Sequence, residues 1–468
     1  MSTLFSTRCA GPSRPVDLAG RPLRSAPWPA PDPAAQHRQR RPTYAGAVRS
    51  LGPADVAAAA DRISTWVTPT PLQRSARLSE LTGATVLLKR EDLQPVRSYK
   101  LRGAVNLIAG LDEAARRRGV VCASAGNHAQ GVALACAELQ VPATIFLPST
   151  TPRQKRDRVA DLGGKQVTIV VGGETYDDAA AAALDLATDT GAVMVPAFDD
   201  QRIVAGQGTV AREIVEQLGR LPDLLLVPVG GGGLLAGCVA AIGGSDADDR
   251  LVGLEPAGAA SMTAALRHGA PVRLDKIDSF ADGTAVRRVG EVTFPIVRDS
   301  GCRVSTVAEG AICVEMLALY QTEGIIAEPS GAMASAALSD PDQLAQLPIR
   351  QGQTVVAVVS GGNNDVSRYG EVVERALIHE GRKHSFLVEF PQEPGALRRF
   401  LDDVLGPDDD IALFEYVKRN NREFGPALVG LELGSRDDLE PLLRRMAASP
   451  ITVQPVPPDS PLFGLFLS

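Results

Sequence analysis

Short apolar runs recur through the middle of this chain, and they limit what it can fold into. Ala84–Lys89 (ATVLLK), Val120–Ala123, Ala143–Leu147 (ATIFL), Val167–Val171 (VTIVV), Leu224–Val229 (LLLVPV), Leu251–Glu255 (LVGLE) and Thr354–Ser360 (TVVAVVS) are continuous rather than alternating. A strand with no polar face must be covered on both sides, as in a parallel sheet flanked by helices. The intervening segments include the helix-compatible runs Ala129–Leu139 and Asp177–Thr188. The expected fold is α/β, with more than one sheet, because a single sheet rarely absorbs so many units.

The pattern changes after Gly381. Ser385–Phe390 alternates, Gln392–Gly395 reads as a turn, and Ala396–Val404 reads as a helix with Leu397, Phe400, Leu401 and Val404 at helical spacing. A strand pair, Ile411–Val417 and Ala427–Leu433, a helix at Leu439–Met446 and a strand at Ile451–Val456 follow. That order, β-α-β-β-α-β, is the split βαβ or ferredoxin-like arrangement. Three parts are expected: an extension at 1–45, an α/β body at 46–380 and a small C-terminal domain at 381–468.

Residues 1–42 hold seven Arg, two Asp and eight Pro, a composition that cannot bury enough surface to offset ordering entropy, so 1–45 is expected to be disordered. It has no apolar core of a secretory signal; a transit peptide, a dispensable extension or a start placed too far upstream stay open. The net charge of −7 argues against a nucleic-acid surface, and no apolar stretch is long enough to span a membrane. Six cysteines at irregular spacing make neither a disulfide framework nor a zinc site, and imply a reducing, cytoplasmic setting.

Four segments carry chemistry. Ser98-Tyr99-Lys100-Leu101-Arg102-Gly103-Ala104 presents a lysine. Ser124-Ala125-Gly126-Asn127-His128-Ala129-Gln130-Gly131 leads from small residues into a helix start, where N–H groups attract an anion. Pro228-Val229-Gly230-Gly231-Gly232-Gly233-Leu234 follows an apolar strand, and its glycines let the backbone wrap a phosphate. It matches neither the dinucleotide fingerprint nor the P-loop. Ser360-Gly361-Gly362-Asn363-Asn364 places a hydroxyl where an apolar strand ends, the usual ligand position in open α/β sheets. Singly, each has a plain reading: a surface lysine, a strand-to-helix turn, a flexible loop, a helix cap.

Together, and with Thr70-Pro71-Leu72-Gln73, Leu88–Gln94 (LKREDLQ), Ile203–Thr209 (IVAGQGT) and Ala327–Ala332 (AEPSGA), they closely resemble the biosynthetic threonine dehydratases, across about residues 48–455. The resemblance implies a fold-type II pyridoxal 5'-phosphate enzyme of two open twisted α/β subdomains. Lys100 would form the Schiff base with the cofactor and later take the substrate Cα proton. Gly230, Gly231, Gly232, Gly233 and Leu234 would cradle the phosphate. Asn127 would bond the ring hydroxyl, and Ser360 would face the pyridine nitrogen. Ser124, Ala125, Gly126, Asn127 and His128 would receive the substrate carboxylate. The implied reaction converts L-threonine to 2-oxobutanoate and ammonia, the first committed step of isoleucine synthesis. The C-terminal unit resembles a single ACT-type domain, which implies feedback inhibition by isoleucine, and the family implies a homotetramer.

Two departures bear on these expectations. Tyr99 stands where the family commonly has phenylalanine. Some relatives hold a divalent ion after the glycine loop, but Ser261 replaces the second carboxylate of that site, so no required metal is expected and Glu255 reads as a structural strand-end residue. A serine dehydratase or racemase, another β-eliminating or β-replacing enzyme of the same scaffold, and a cofactor-bearing sensor without turnover are the alternatives.

Overall fold

A computed structural model describes residues 51–243, 247, 249–416, 423–457 and 460. The expected disordered extension, 1–45, lies outside the described residues.

The chain builds its first sheet in two visits. It lays down β1 (Leu72–Arg74) and β2 (Thr85–Arg90), then leaves to form a second sheet from β3 (Val120–Ala123), β4 (Ala143–Leu147), β5 (Val167–Val171) and β6 (Val193–Met194). It returns with β7 (Leu224–Pro228), β8 (Leu251–Pro256), β9 (Arg303–Val307) and β10 (Thr354–Val359). The first sheet has the order β1-β2-β10-β7-β8-β9, parallel except for β1, which runs antiparallel to β2 at the edge. The second has the order β5-β4-β3-β6 and is parallel throughout.

The continuous apolar runs sit where their composition requires. Every residue of β3 and β7 is buried, as is β10 after Thr354. Each valine withdrawn in this way contributes roughly 1.5–3 kcal/mol. Three strands carry too little signal to read from sequence: β1 has three residues, β6 has two, and β9 (RVSTV) is half polar and borders the sheet.

At the C-terminal end lie β11 (Lys383–Pro391), β12 (Asp410–Tyr416), β13 (Phe424–Glu432) and β14 (Thr452–Pro455), with helix Leu439–Ala448 before the last strand. The antiparallel order β12-β13-β11-β14 places the unit's first and third strands at its centre, the split βαβ arrangement. Its core gathers Phe386, Val388, Phe390, Phe400, Val429, Leu431 and Leu442. The helix expected at Ala396–Val404 differs: one α turn, Ala396–Arg399, widens into a π turn at Phe400–Val404. Phe400 and Val404 point inward, while Leu397 and Leu401 are exposed, so the four apolar residues serve two faces. Val417, the last residue of the expected strand Ile411–Val417, lies outside the described residues.

Candidate active site

The segments that follow β3 and β6 of the second sheet meet those that follow β7 and β10 of the first, each parallel sheet delivering its loops to one end. Lys100 opens helix Lys100–Ala109 and is half-buried. Its Nζ donates to the Ala197 carbonyl, just past β6, at 3.0 Å, and lies 5.2 Å from the centre of the Tyr99 ring. Burial pushes its amine down to about 8, against an opposing pull from Glu328. The position is anchored to β10: Tyr99 N–H donates to the Ser360 carbonyl at 3.1 Å, and Ser98 bridges to Gly361.

The four glycines stand between β7 and helix Gly233–Ile242, which Leu234 continues. Phe198, the neighbour of Ala197, closes on this loop: a Cβ on Gly231 would drive into its ring, and one on Gly233 would lie 2.9 Å from its Cβ. Gly232 has φ +93°, which a side chain rarely tolerates, and a Cβ on Gly230 would lie 2.9 Å from Thr284 Cα. Thr284 Oγ1 in turn lies 3.1 Å from Ser330 Oγ, and Ser360 Oγ donates to the Ser330 carbonyl at 3.1 Å. Contacts therefore run without a break from Lys100 through the glycine loop to Ser360 and back.

Ser124, Ala125 and Gly126 lead into helix Asn127–Leu139, with Gly126 N–H bonded to Ser124 Oγ at 3.3 Å. Asn127 Nδ2 donates to Glu328 Oε1 at 2.6 Å, and its Oδ1 accepts from Asn363 Nδ2 at 2.6 Å. His128 is buried, with Nε2 2.8 Å from the Val195 carbonyl. Burial and the Lys100 charge push its pKa down to about 4, so it is neutral and that nitrogen donates.

Sequence reasoning gave no role to Glu328, Asn363, Ala197 or Phe198. Glu328 is buried; desolvation and the Asp282 carboxylate raise its pKa to about 7, against the Asn127 hydrogen bond and the charges of Lys155 and Lys100. Two of these residues stood inside recognised segments, AEPSGA and SGGNN. An acid just before the first turn of a helix, however, reads first as a complement to the helix dipole. Glu255, read as a strand-end residue, accepts from the backbone N–H groups of Met262 at 2.9 Å and Thr263 at 2.8 Å, bracing helix Ser261–His268.

The pyridoxal-phosphate dependent enzyme family matches residues 63–361, and the C-terminal regulatory domain of threonine dehydratase matches residues 374–466. The biosynthetic L-threonine dehydratase of Mycobacterium tuberculosis is 58% identical over 420 residues, which are 89% of this chain and 96% of that protein. The chain belongs to the biosynthetic L-threonine dehydratases. The dehydratase of Corynebacterium glutamicum is 53% identical over 87% of this chain and 93% of its own length. Among solved structures, processed threonine deaminase isoform 2 of Solanum lycopersicum superposes with a TM-score of 0.64 at 39% identity, covering 69% of this chain and 92% of that one. Maize serine racemase also gives 0.64, at 30% identity, covering 71% of this chain and 99% of that one.

Members of this family are pyridoxal-phosphate-dependent lyases, and the residues present fit the cofactor. The glycine loop is a cradle that side chains would fill, the helix behind it presents N–H groups, and Lys100 is a desolvated amine with its pKa brought toward neutrality. No helix among the described residues is long and apolar enough to cross a membrane.

Proposed function

We propose that this enzyme dehydrates and deaminates L-threonine to 2-oxobutanoate and ammonia in the cytoplasm, with residues 46–380 as its catalytic body and 381–468 as a domain through which isoleucine inhibits it. The observation that carries this reading is the 58% identity to a biosynthetic L-threonine dehydratase over 96% of that protein's length.

Bound pyridoxal phosphate would supply the electron sink that lets an amino-acid Cα–H bond break. The chain's own groups do the rest. The backbone N–H groups of Gly230–Leu234 would hold the phosphate. Asn127 would donate a hydrogen bond to the ring oxygen, and Ser360 would meet the pyridine nitrogen with a neutral hydroxyl, which does not favour its protonation as a carboxylate would. Backbone N–H groups at the start of the Asn127 helix, with Ser124 and Ala125, receive the substrate carboxylate. His128 adds no positive charge there, being neutral and bonded to Val195. Lys100 would hold the cofactor and, as a free amine, would take the substrate Cα proton; a pKa near 8 leaves part of it as free base at neutral pH.

The test is 2-oxobutanoate release from L-threonine by purified protein with pyridoxal phosphate, run with and without isoleucine. Turnover that isoleucine suppresses is the expected result, and deletion of residues 380–468 should relieve the suppression. Turnover indifferent to isoleucine would remove the regulatory assignment alone. A second reading, serine racemisation or dehydration, is favoured by the likeness to maize serine racemase. D-serine or pyruvate formed from L-serine, with threonine inert, would select it. The homotetramer belongs to the same proposal, and sedimentation at working concentration decides it.

A further inference from the structure

The Asn127 side chain is held at both ends, and its holders are themselves fixed. A side-chain amide can be turned end for end with little change in shape, so its direction rests on its partners. Asn363 sets that direction. Its Nδ2 donates to the Val96 carbonyl at 2.8 Å, an atom that can only accept, and the same nitrogen reaches Asn127 Oδ1 at 2.6 Å. The oxygen of Asn127 is thereby engaged, and its Nδ2 is turned to Glu328 Oε1 at 2.6 Å. That nitrogen carries two hydrogens, of which one goes to Glu328.

Glu328 has little freedom to swing aside. It is 4% exposed, and its N–H donates to the Gly361 carbonyl at 3.1 Å. A Cβ on Gly361 would collide with its Oε1, so the glycine after Ser360 makes room for the carboxylate. The titratable groups acting on Glu328 or felt from it are Lys100, Lys155, Asp282 and Tyr99.

We propose that Glu328 and Asn363 are positioning residues that clamp the Asn127 amide, so that it offers the cofactor's ring oxygen an N–H and never a carbonyl. The inference rests on the role given to Asn127 above. A donor-only partner favours the ionised ring oxygen, which accepts hydrogen bonds, over the hydroxyl, which must also donate. The clamp thus governs a protonation state as well as an orientation.

The experiment uses the full-length protein with Asn363→Ala and Glu328→Ala, each alone and combined with Asn127→Ala. Cofactor Kd is measured by titrating apoprotein with pyridoxal phosphate, and the visible absorbance of the bound cofactor is followed against pH. Each single clamp variant should raise Kd about tenfold, the scale of one oriented hydrogen bond. Each should also move the absorbance titration to higher pH, a shift that loosened packing alone does not produce. In the Asn127→Ala background neither clamp change should add anything, because the group it acts through is gone. Clamp variants that leave Kd and the titration unchanged while Asn127→Ala weakens binding would overturn the clamp alone. So would effects that persist undiminished without Asn127. An Asn127→Ala protein with unaltered Kd would instead remove the role of Asn127, and the clamp with it. Should one clamp variant fail to fold, the other carries the same readings.

Discussion

Helix Lys100–Ala109 carries two cations two residues apart, one half-buried and one fully enclosed, in opposite surroundings. Arg102 is fully enclosed and fully answered: Nε and Nη2 reach both oxygens of Glu91 at 2.8 and 2.7 Å, and Nη1 reaches Glu213 at 2.6 Å. Lys89 joins the same cluster through Glu213 at 2.7 Å and the Thr70 carbonyl at 2.7 Å. Burial would raise the Glu91 carboxyl, but the guanidinium beside it holds it below the usual range, and the carboxylates keep Arg102 charged. Lys100 donates to a carbonyl instead of a carboxylate, and burial brings it down to about 8. Complete pairing fixes a charge and ties β2 to two helices. Incomplete pairing leaves an amine that can gain and lose a proton near neutrality.

Removing the unpaired cation should break function without breaking the fold. Lys100→Ala should lower 2-oxobutanoate formation by at least ~10⁴-fold, since it deletes the cofactor link and the proton acceptor together. The thermal midpoint of the apoprotein should not fall, because a desolvated amine has been removed. Full activity in this variant would end the assignment of the site. Removing the paired cation should do the reverse at its first step. Arg102→Met leaves Glu91 buried without its partner and should destabilise the protein by about 3–5 kcal/mol, read from denaturant midpoints. A loss under ~1 kcal/mol would mean that the cluster does not brace this helix.

The same contrast explains what could be read from sequence. The parallel sheets were legible because strands buried on both faces need unbroken apolar runs, and β7 and β10 show them. The order of the C-terminal strands was legible from alternation in β11 and from turn residues. The π turn at Phe400–Val404 was not, because its residues keep helical spacing while the backbone widens. At the site, the glycine loop and Ser360 lie at strand ends that the pattern locates, whereas Lys100 opens a helix well past β2 and was legible only through the resemblance. Glu328 and Asn363 act on Asn127 from 201 and 236 residues away, and pairings at that separation leave no periodic trace. The Arg102 cluster was hidden for the same reason: LKREDLQ looks like a solvated charge run until Glu213 is brought to Lys89, 124 residues on.

The smallest effect should come from Asp282, whose carboxylate faces both Lys155 and Glu328. Asp282 and Lys155 form an ion pair at 2.7 Å with the carboxylate 43% exposed, and such pairs contribute roughly 0–1 kcal/mol. Asp282→Asn should therefore change stability at neutral pH by no more than about 1 kcal/mol. Its influence on Glu328 is separable. Glu328 titrates near 7 in the folded protein against 4.5 ordinarily, so between those values the folded state keeps a proton that the unfolded state has lost. Stability then declines as pH rises through that window. The Lys100 contribution has the opposite sign at higher pH: from about 8 to 10.5 the unfolded state holds the extra proton, and stability climbs. Replacing Asp282 removes a negative neighbour of Glu328 and frees Lys155 to act on it, and both changes lower the Glu328 pKa. The decline should end at lower pH in Asp282→Asn, as measured by denaturant unfolding of apoprotein between about pH 5 and about pH 8. An unchanged slope would mean that burial alone sets Glu328, and that the ion pair at the surface does not reach the carboxylate on Asn127.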